Sequence, residues 1–298
     1  MRSSAVSHAR RIGPGSHALF LIPAAIYLAA FAVFPFVQLL RMSVAEVSSG
    51  NLFKAWPFVG IENFAAVLAS GAFMPALQNT LIYVAVILII GEGGGLCAAL
   101  LLRGTGRIVG GVLGLLVFAW AVPSVINGTV WKFLLSDVGP INTLLLMFGV
   151  SPVDWLIDRN IALVSVAFVN GWASLPFSAL IFRAALLDIP PDLIEAAEVD
   201  GGSSGQVLRH IVLPLLRPTA LVLSVLVIVY AFRSFDYLFV MTSGGPGSIT
   251  TTIPYLTYKL AFESFDFGAG AATAVIAVLI VLVLALVYTR AVLKEERR

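Results

Sequence analysis

Three ionisable side chains, Glu92, Arg233 and Asp236, stand inside long apolar stretches. Charge at membrane depth is costly, so each is a functional candidate by default. Arg233 and Asp236 are three residues apart, a spacing that puts both on one helix face and lets them pair. Phe232, Phe235, Tyr237 and Phe239 flank them. Polar groups beside flat rings can hold a polar solute that also has an apolar face; a structural ion pair near the membrane boundary is the competing reading. Asn127, following Pro123, and Asn170, beside Trp172, add polar groups in apolar surroundings. Irregular backbone at such a proline is tolerated where it lines a cavity, and hydrogen bonding between buried helices is the other use of both asparagines.

Glu92 lies in the run Gly91-Glu92-Gly93-Gly94-Gly95, whose small residues favour close helix approach and set its carboxyl against a neighbouring helix rather than on a proton path. Gly106, Gly110 and Gly114 repeat the small-xxx-small pattern and predict a second tight contact. The lone cysteine, Cys97, sits in an apolar run and reads as a buried structural thiol with no disulfide partner. His8, His17 and His210 fall outside the apolar stretches and form no ligand motif, so no catalytic residue and no metal ligand is assigned. A P-loop needs Gly-Lys-Ser/Thr to cradle phosphates. Lys54, Lys132, Lys259 and Lys294 follow Phe, Trp, Tyr and Leu, so no such loop exists and any ATP is hydrolysed on another chain.

The elements that must position these groups are membrane helices. Of 298 residues, 59% are hydrophobic and 11% charged, and the mean hydropathy is +1.00, far outside the soluble range. A net charge of +2 gives no reason to expect nucleic acid. A helix needs about 20 apolar residues to cross a bilayer. Six windows qualify, at roughly 18–40, 77–102, 107–131, 160–183, 215–240 and 270–292. The expected fold is therefore all-α and polytopic: a segment 1–17, a transmembrane domain 18–292 with six helices, and a tail 293–298.

Lysine and arginine accumulate on the cytoplasmic side. The N-terminus, the Arg103–Gly106 turn with Arg107, the central loop and the tail hold twelve, whereas the opposite loops hold five. Both termini and the central loop are accordingly expected in the cytoplasm. The opposite loops carry turn signals such as Gly139-Pro140 and Gly244-Gly245-Pro246, and aromatics suited to interfacial segments.

The central loop, 190–214, is the most specific stretch. Pro190-Pro191 stops one helix and opens the next. Asp192, Glu195 and Glu198 favour that helix's N-terminal half through its dipole. Gly201-Gly202 ends it, and Ser203-x-x-Gln206 is a capping box that starts a second short helix. Leu193, Ala196 and Ala197 share one side of the first helix, with Ile194 nearby, and small alanines let another surface approach.

Glu195-Ala196-Ala197, three residues, Gly201, nine residues, Ile211, one residue, Leu213-Pro214 resembles the EAA loop of ABC-importer permeases at all seven defined positions. Trp172 through Phe177, Asp200-Gly201, Pro218 and Thr242 to Pro246 extend the resemblance to the maltose-type carbohydrate permeases. It departs at Gly201-Gly202, where such loops often carry Gly-Ala. What the resemblance implies is a half-permease in a bacterial cytoplasmic membrane that takes a sugar or sugar derivative from an extracytoplasmic solute-binding protein and passes it inward by alternating access. It further implies a second, non-identical permease subunit and two ATP-binding cassette subunits that carry ATP and Mg, with no cofactor in this chain. The seven loop positions would couple to the ATPase, making the stretch a two-helix coupling loop. Asn127, Asn170, Trp172, Arg233, Phe235, Asp236 and Tyr237 are the candidates for the substrate path, their rings stacking on a sugar's apolar faces.

Two other classes compete. A self-contained secondary transporter should show inverted repeats and coupling-ion ligands, and no repeat is evident. An intramembrane enzyme would need a nucleophile and base or a metal cluster.

Overall fold

The computed structural model describes residues 22–295. The expected cytoplasmic segment 1–17, with Arg2, Arg10 and Arg11, and the last three residues of the tail lie outside that range. Twelve helices follow in the described residues: α1 (Ile22–Ser43), α2 (Glu62–Ala69), α3 (Phe73–Leu101), α4 (Arg107–Ala121), α5 (Ser124–Leu134), α6 (Pro140–Met147), α7 (Ala162–Leu187), α8 (Pro191–Val199), α9 (Ser204–Arg233), α10 (Asp236–Met241), α11 (Ile253–Tyr258) and α12 (Phe267–Glu295). Five of these are long and apolar enough to cross a membrane alone, and the bent pair α4 and α5 makes up to six spans.

Helix α7 is the hub. It buries residues around its whole circumference, among them Val166, Val169, Asn170, Ser178 and Phe182, as expected of a helix that is apolar all round. Helices α3, α4 and α9 pack directly on it, and α12 closes the bundle against α9. Helix α1 packs chiefly on α12, leaving Ile26 and Phe31 exposed.

The glycines of α3 set how closely it lies on α7. A Cβ at Gly95 would strike Ser178 and come within 2.9 Å of the Ala179 backbone nitrogen, and one at Gly91 would strike the Ser174 side chain. Gly106, Gly110 and Gly114, by contrast, face nothing within 4 Å, so the second small-residue stripe makes no tight contact within this chain. Gly95→Leu is therefore expected to destabilise the chain by about 3 kcal/mol, because backbone rather than a flexible side-chain end blocks it. Gly110→Leu should leave thermal unfolding of the isolated chain in detergent unchanged, and equal melting temperatures for the two variants would contradict the packing described here.

Two expected spans are broken. The third, read as one helix over 107–131, bends by 99° between α4 and α5 at Val122-Pro123. Proline lacks the donor that would continue the ladder, and α4 alone extends only about 22 Å of the roughly 30 Å core. The fifth, read as 215–240, ends at Arg233 and resumes as α10 after an extended Ser234. No proline or glycine marks that second break; a hydrogen bond from Asn170 Nδ2 to Ser234 Oγ at 3.0 Å ties it to α7. Helix α9 also begins earlier than expected, so the second helix of the central loop is the continuous foot of this span. Cys97 is exposed on α3 rather than buried, because the α7-facing side of the helix belongs to Gly91, Gly95 and Ala99.

The two ends of the bundle are pinned differently. Arg183 Nε donates to the Leu102 carbonyl at 2.8 Å, so the turn after α3 and the end of α7, which leads into α8, share one end. At the other end buried Asn142 accepts from Val153 N–H and the Trp155 indole and donates to Val153 O. Asn63 and Asn79 staple further loops there, to the Ala45 and Thr251 carbonyls.

Candidate functional site

The loop 190–214 is built from local hydrogen bonds. Pro191 starts α8, and Asp192 lies in its first turn. The helix ends with Gly201 N–H on Glu198 O at 3.0 Å and Gly202 N–H on Ala197 O at 2.9 Å, the paired bonds of a Schellman cap. That cap requires a left-handed residue, and Gly201 has φ +83° with open space around it. Gly202 is required for another reason: a Cβ there would lie 2.8 Å from Ala197 O. The capping box forms, with Ser203 N–H donating to Gln206 Oε1 at 2.8 Å.

Helix α9 then passes through a π segment, Leu208–Val212, directly before Leu213-Pro214. The widened turn accommodates a proline that cannot donate and whose ring crowds the preceding carbonyls, so the helix runs unbroken from loop to membrane. Ile194, Ala197 and Ile211 pack against the main core, whereas Leu193, Glu195 and Ala196 stay exposed. Ala197 therefore belongs to the inward side of α8, not to the outward face it was expected to share with Leu193 and Ala196. A notch of about 310 Å³ separates α8 from α9, lined by Ala197, Gly201, Gly202, Val207 and Ile211 among others.

Within the bundle the expected candidates fall into separate groups. The Arg233–Asp236 pair on one helix face does not exist, because the break at Ser234 puts the two on different helices, and neither makes a salt bridge among the described residues. Asp236 instead accepts the Ser124 hydroxyl at 2.6 Å, and Asn127 Nδ2 donates to Tyr237 Oη at 3.3 Å. These bonds join α5 to α10, so the two half-helices beyond the breaks form one unit. Asn170, fully buried, donates to Tyr83 Oη at 2.8 Å as well as to Ser234. Its Oδ1 accepts nothing from the described residues. Trp172 meets Trp131 edge-on at 5.3 Å, and Phe235 stacks on Tyr258 at 5.4 Å. Glu92 lies in a π segment of α3 and accepts the Ser224 hydroxyl of α9 at 2.8 Å.

One cavity was missed by sequence reasoning. About 260 Å³ lies between α4, α7 and α9, lined by Trp120, Ala173, Ser174, Phe177, Val227 and Tyr230 among others. The Trp120 and Phe177 rings stack at 5.7 Å and 23°. None of its lining residues is charged. Flat rings with the Tyr230 hydroxyl suit a ligand that has both hydroxyls and apolar faces. The available signal was a pair of three-residue spacings, Ser174 to Phe177 and Val227 to Tyr230, each aligning two residues on one helix face.

Comparison with known proteins adds the following. A family profile described as "Binding-protein-dependent transport system inner membrane component" matches residues 91–294. The chain is 33% identical over 235 residues to the trehalose/maltose transport system permease protein MalF of Thermococcus litoralis, covering 78% of this chain and 79% of that one. It is 31% identical over 259 residues to the sn-glycerol-3-phosphate transport system permease protein UgpA of Agrobacterium fabrum, covering 85% and 86%. In fold it is similar to a chain in the crystal structure of a bacterial ABC transporter involved in the import of the acidic polysaccharide alginate. That match has a TM-score of 0.81 at 23% identity and covers 94% of this chain and 96% of the other.

Proposed function

This chain belongs to the family of inner-membrane components of binding-protein-dependent transport systems, and from that premise we propose that it forms one half of the path for an uncharged sugar. It is the permease subunit of an ABC importer. The observation that carries the sugar reading is the Trp120–Phe177–Tyr230 cavity, which offers stacking surfaces and a tyrosine hydroxyl and has no charged lining residue. Anion recognition would call for an arginine or lysine there.

Trp120 and Tyr230 remain about half exposed, at 51% and 44%, so the cavity is open on one side. A second, non-identical permease closes that side, and an extracytoplasmic solute-binding protein delivers the sugar. Helix α8 and the foot of α9 dock on one of two ATP-binding cassette subunits, which hold ATP and Mg. Closure of those subunits would rock α9 as a rigid body, because helix continuity from Ser204 to Arg233 transmits motion from loop to cavity wall. The lysine and arginine distribution favours cytoplasmic termini and a cytoplasmic α8. The Arg183 tie supports that assignment, since the Arg103 turn and the loop share one end of the bundle.

The test is reconstitution in liposomes of this chain with its second permease and ATPase, supplied with the binding protein. Uptake of radiolabelled maltose, trehalose and sn-glycerol 3-phosphate is compared with and without ATP. ATP-dependent uptake confined to the neutral sugars is expected. Preference for the phosphate ester would overturn the uncharged-sugar reading, and uptake by this chain alone without ATP would point to a secondary transporter.

A further inference from the structure

We propose that Arg233 heads a binding site for an anionic phospholipid on the seam between α9 and α12. Arg233 is the last residue of α9 and is exposed, and it makes no hydrogen bond or ion pair among the described residues. The dipole of α9 favours a cation at that end by roughly 0.3–1 kcal/mol, which accounts for the charge but not for the space beside it.

Arg233 lines a cavity of about 390 Å³ together with Thr257, Tyr258, Phe262, Ala274 and Ala277, and no acidic side chain lines it. Arg233 is the charged residue of this lining, and the small residues Ala274 and Ala277 are what α12 contributes to it. Further along the same two helices lies a second cavity of about 300 Å³, with Val225, Ile228, Val281 and Leu284 in its wall. Its lining is almost wholly apolar. Ala274 to Leu284 covers roughly 15 Å of helix, about half of the hydrocarbon core and hence about one leaflet.

Depth agrees with this geometry. From Leu213 to Arg233 the helix rises about 31 Å, so with the loop at one membrane boundary Arg233 stands at the other. Tyr230, Phe235 and Tyr258 surround that level, where aromatic rings concentrate at headgroups. A soluble anion would use the arginine but leave the apolar seam unexplained. A phospholipid uses both, its phosphate on Arg233 and one acyl chain along α9 and α12. The site is independent of which solute the permease moves.

The test uses the full chain purified with its partner subunits in mild detergent and stripped of lipid. Dioleoylphosphatidylglycerol and dioleoylphosphatidylcholine are titrated separately, and bound lipid is counted by native mass spectrometry. Phosphatidylglycerol should bind about fivefold more tightly, the effect of one cationic side chain at a membrane surface. Arg233→Gln should remove that preference and Arg233→Lys should keep most of it, with unchanged melting temperatures showing that both variants fold. Equal retention of the two lipids, or an unaltered preference in Arg233→Gln, would overturn the site. So would displacement of the lipid by millimolar glycerol phosphate, which would mark a site for soluble anions. Photocrosslinking from a benzophenone maleimide attached to Ala277→Cys, in a Cys97→Ser background, into the second permease would show that a protein helix fills the seam, and would equally overturn it.

Discussion

Gly201→Val is expected to cut ATP-driven uptake by the assembled transporter severely while leaving the chain folded and inserted. Gly201 occupies the left-handed position of the cap that ends α8, at φ +83°. For an L-residue that conformation costs roughly 1–2 kcal/mol, and a β-branched side chain is a severe outlier there. The chain's relief is to give up the cap, which frees the Glu198 and Ala197 carbonyls and releases the angle between α8 and α9. No atom lies within 4 Å of the new Cβ, so the damage stays in the loop and the spans keep their packing. Uptake should fall by at least about tenfold, the factor that accompanies 1.4 kcal/mol of lost coupling, while ATP hydrolysis loses its response to the loaded binding protein. Asparagine visits the left-handed region far more readily, so Gly201→Asn should retain most of the uptake. Normal uptake in the valine variant, measured in proteoliposomes with matched subunit content, would refute the proposed coupling role.

Trp120→Ala is expected to cost about tenfold in transport, equivalent to 1.4 kcal/mol. The indole is half exposed and stacks on Phe177, so its loss removes a wall of the cavity rather than a piece of the core. Trp120→Phe should restore most of the rate, because a flat apolar ring is what the position supplies. Asp236→Asn serves as the contrast. An asparagine oxygen can still accept the Ser124 hydroxyl, so the joint between α5 and α10 survives and transport should change less than twofold, well under about 0.5 kcal/mol. A larger loss in Asp236→Asn than in Trp120→Ala, read from initial rates of sugar uptake, would move the substrate path back to the charged cluster.

The loop was legible because everything that shapes it is local. Pro191 opens α8, the cap spans Ala197 to Gly202, and the capping box spans Ser203 to Gln206, each within a few residues of chain. What the sequence concealed there was continuity: nothing in residues 204–213 announces that the second loop helix and the fifth span are a single helix. The π segment at Leu208–Val212, which lets that helix carry Pro214, has no residue signature of its own.

Inside the membrane the pattern was much less informative. Lipid tails and helix interiors are equally apolar, so hydrophobic periodicity does not separate an inward face from an outward one. Glycine spacing on α3 and on α4 looks alike, yet the first packs against α7 and the second faces open space. Cys97 reads as buried and is exposed for the same reason. The spacing of Arg233 and Asp236 suits a pair on a continuous helix, and the break between them, at Ser234, is tied to Asn170, 64 residues earlier on α7.

Sequence alone therefore determined the class of protein, its all-helical polytopic fold, and the loop that resembles that of an importer permease. Hydropathy sums over long windows and caps close over short ones, and neither depends on distant contacts. Only the tertiary structure decided where the Trp120 cavity lies, because Trp120, Phe177 and Tyr230 come from three separate helices. It also decided that two spans break side by side, since the hydrogen bonds from Ser124 to Asp236 and from Asn127 to Tyr237 link residues more than 100 apart in the chain.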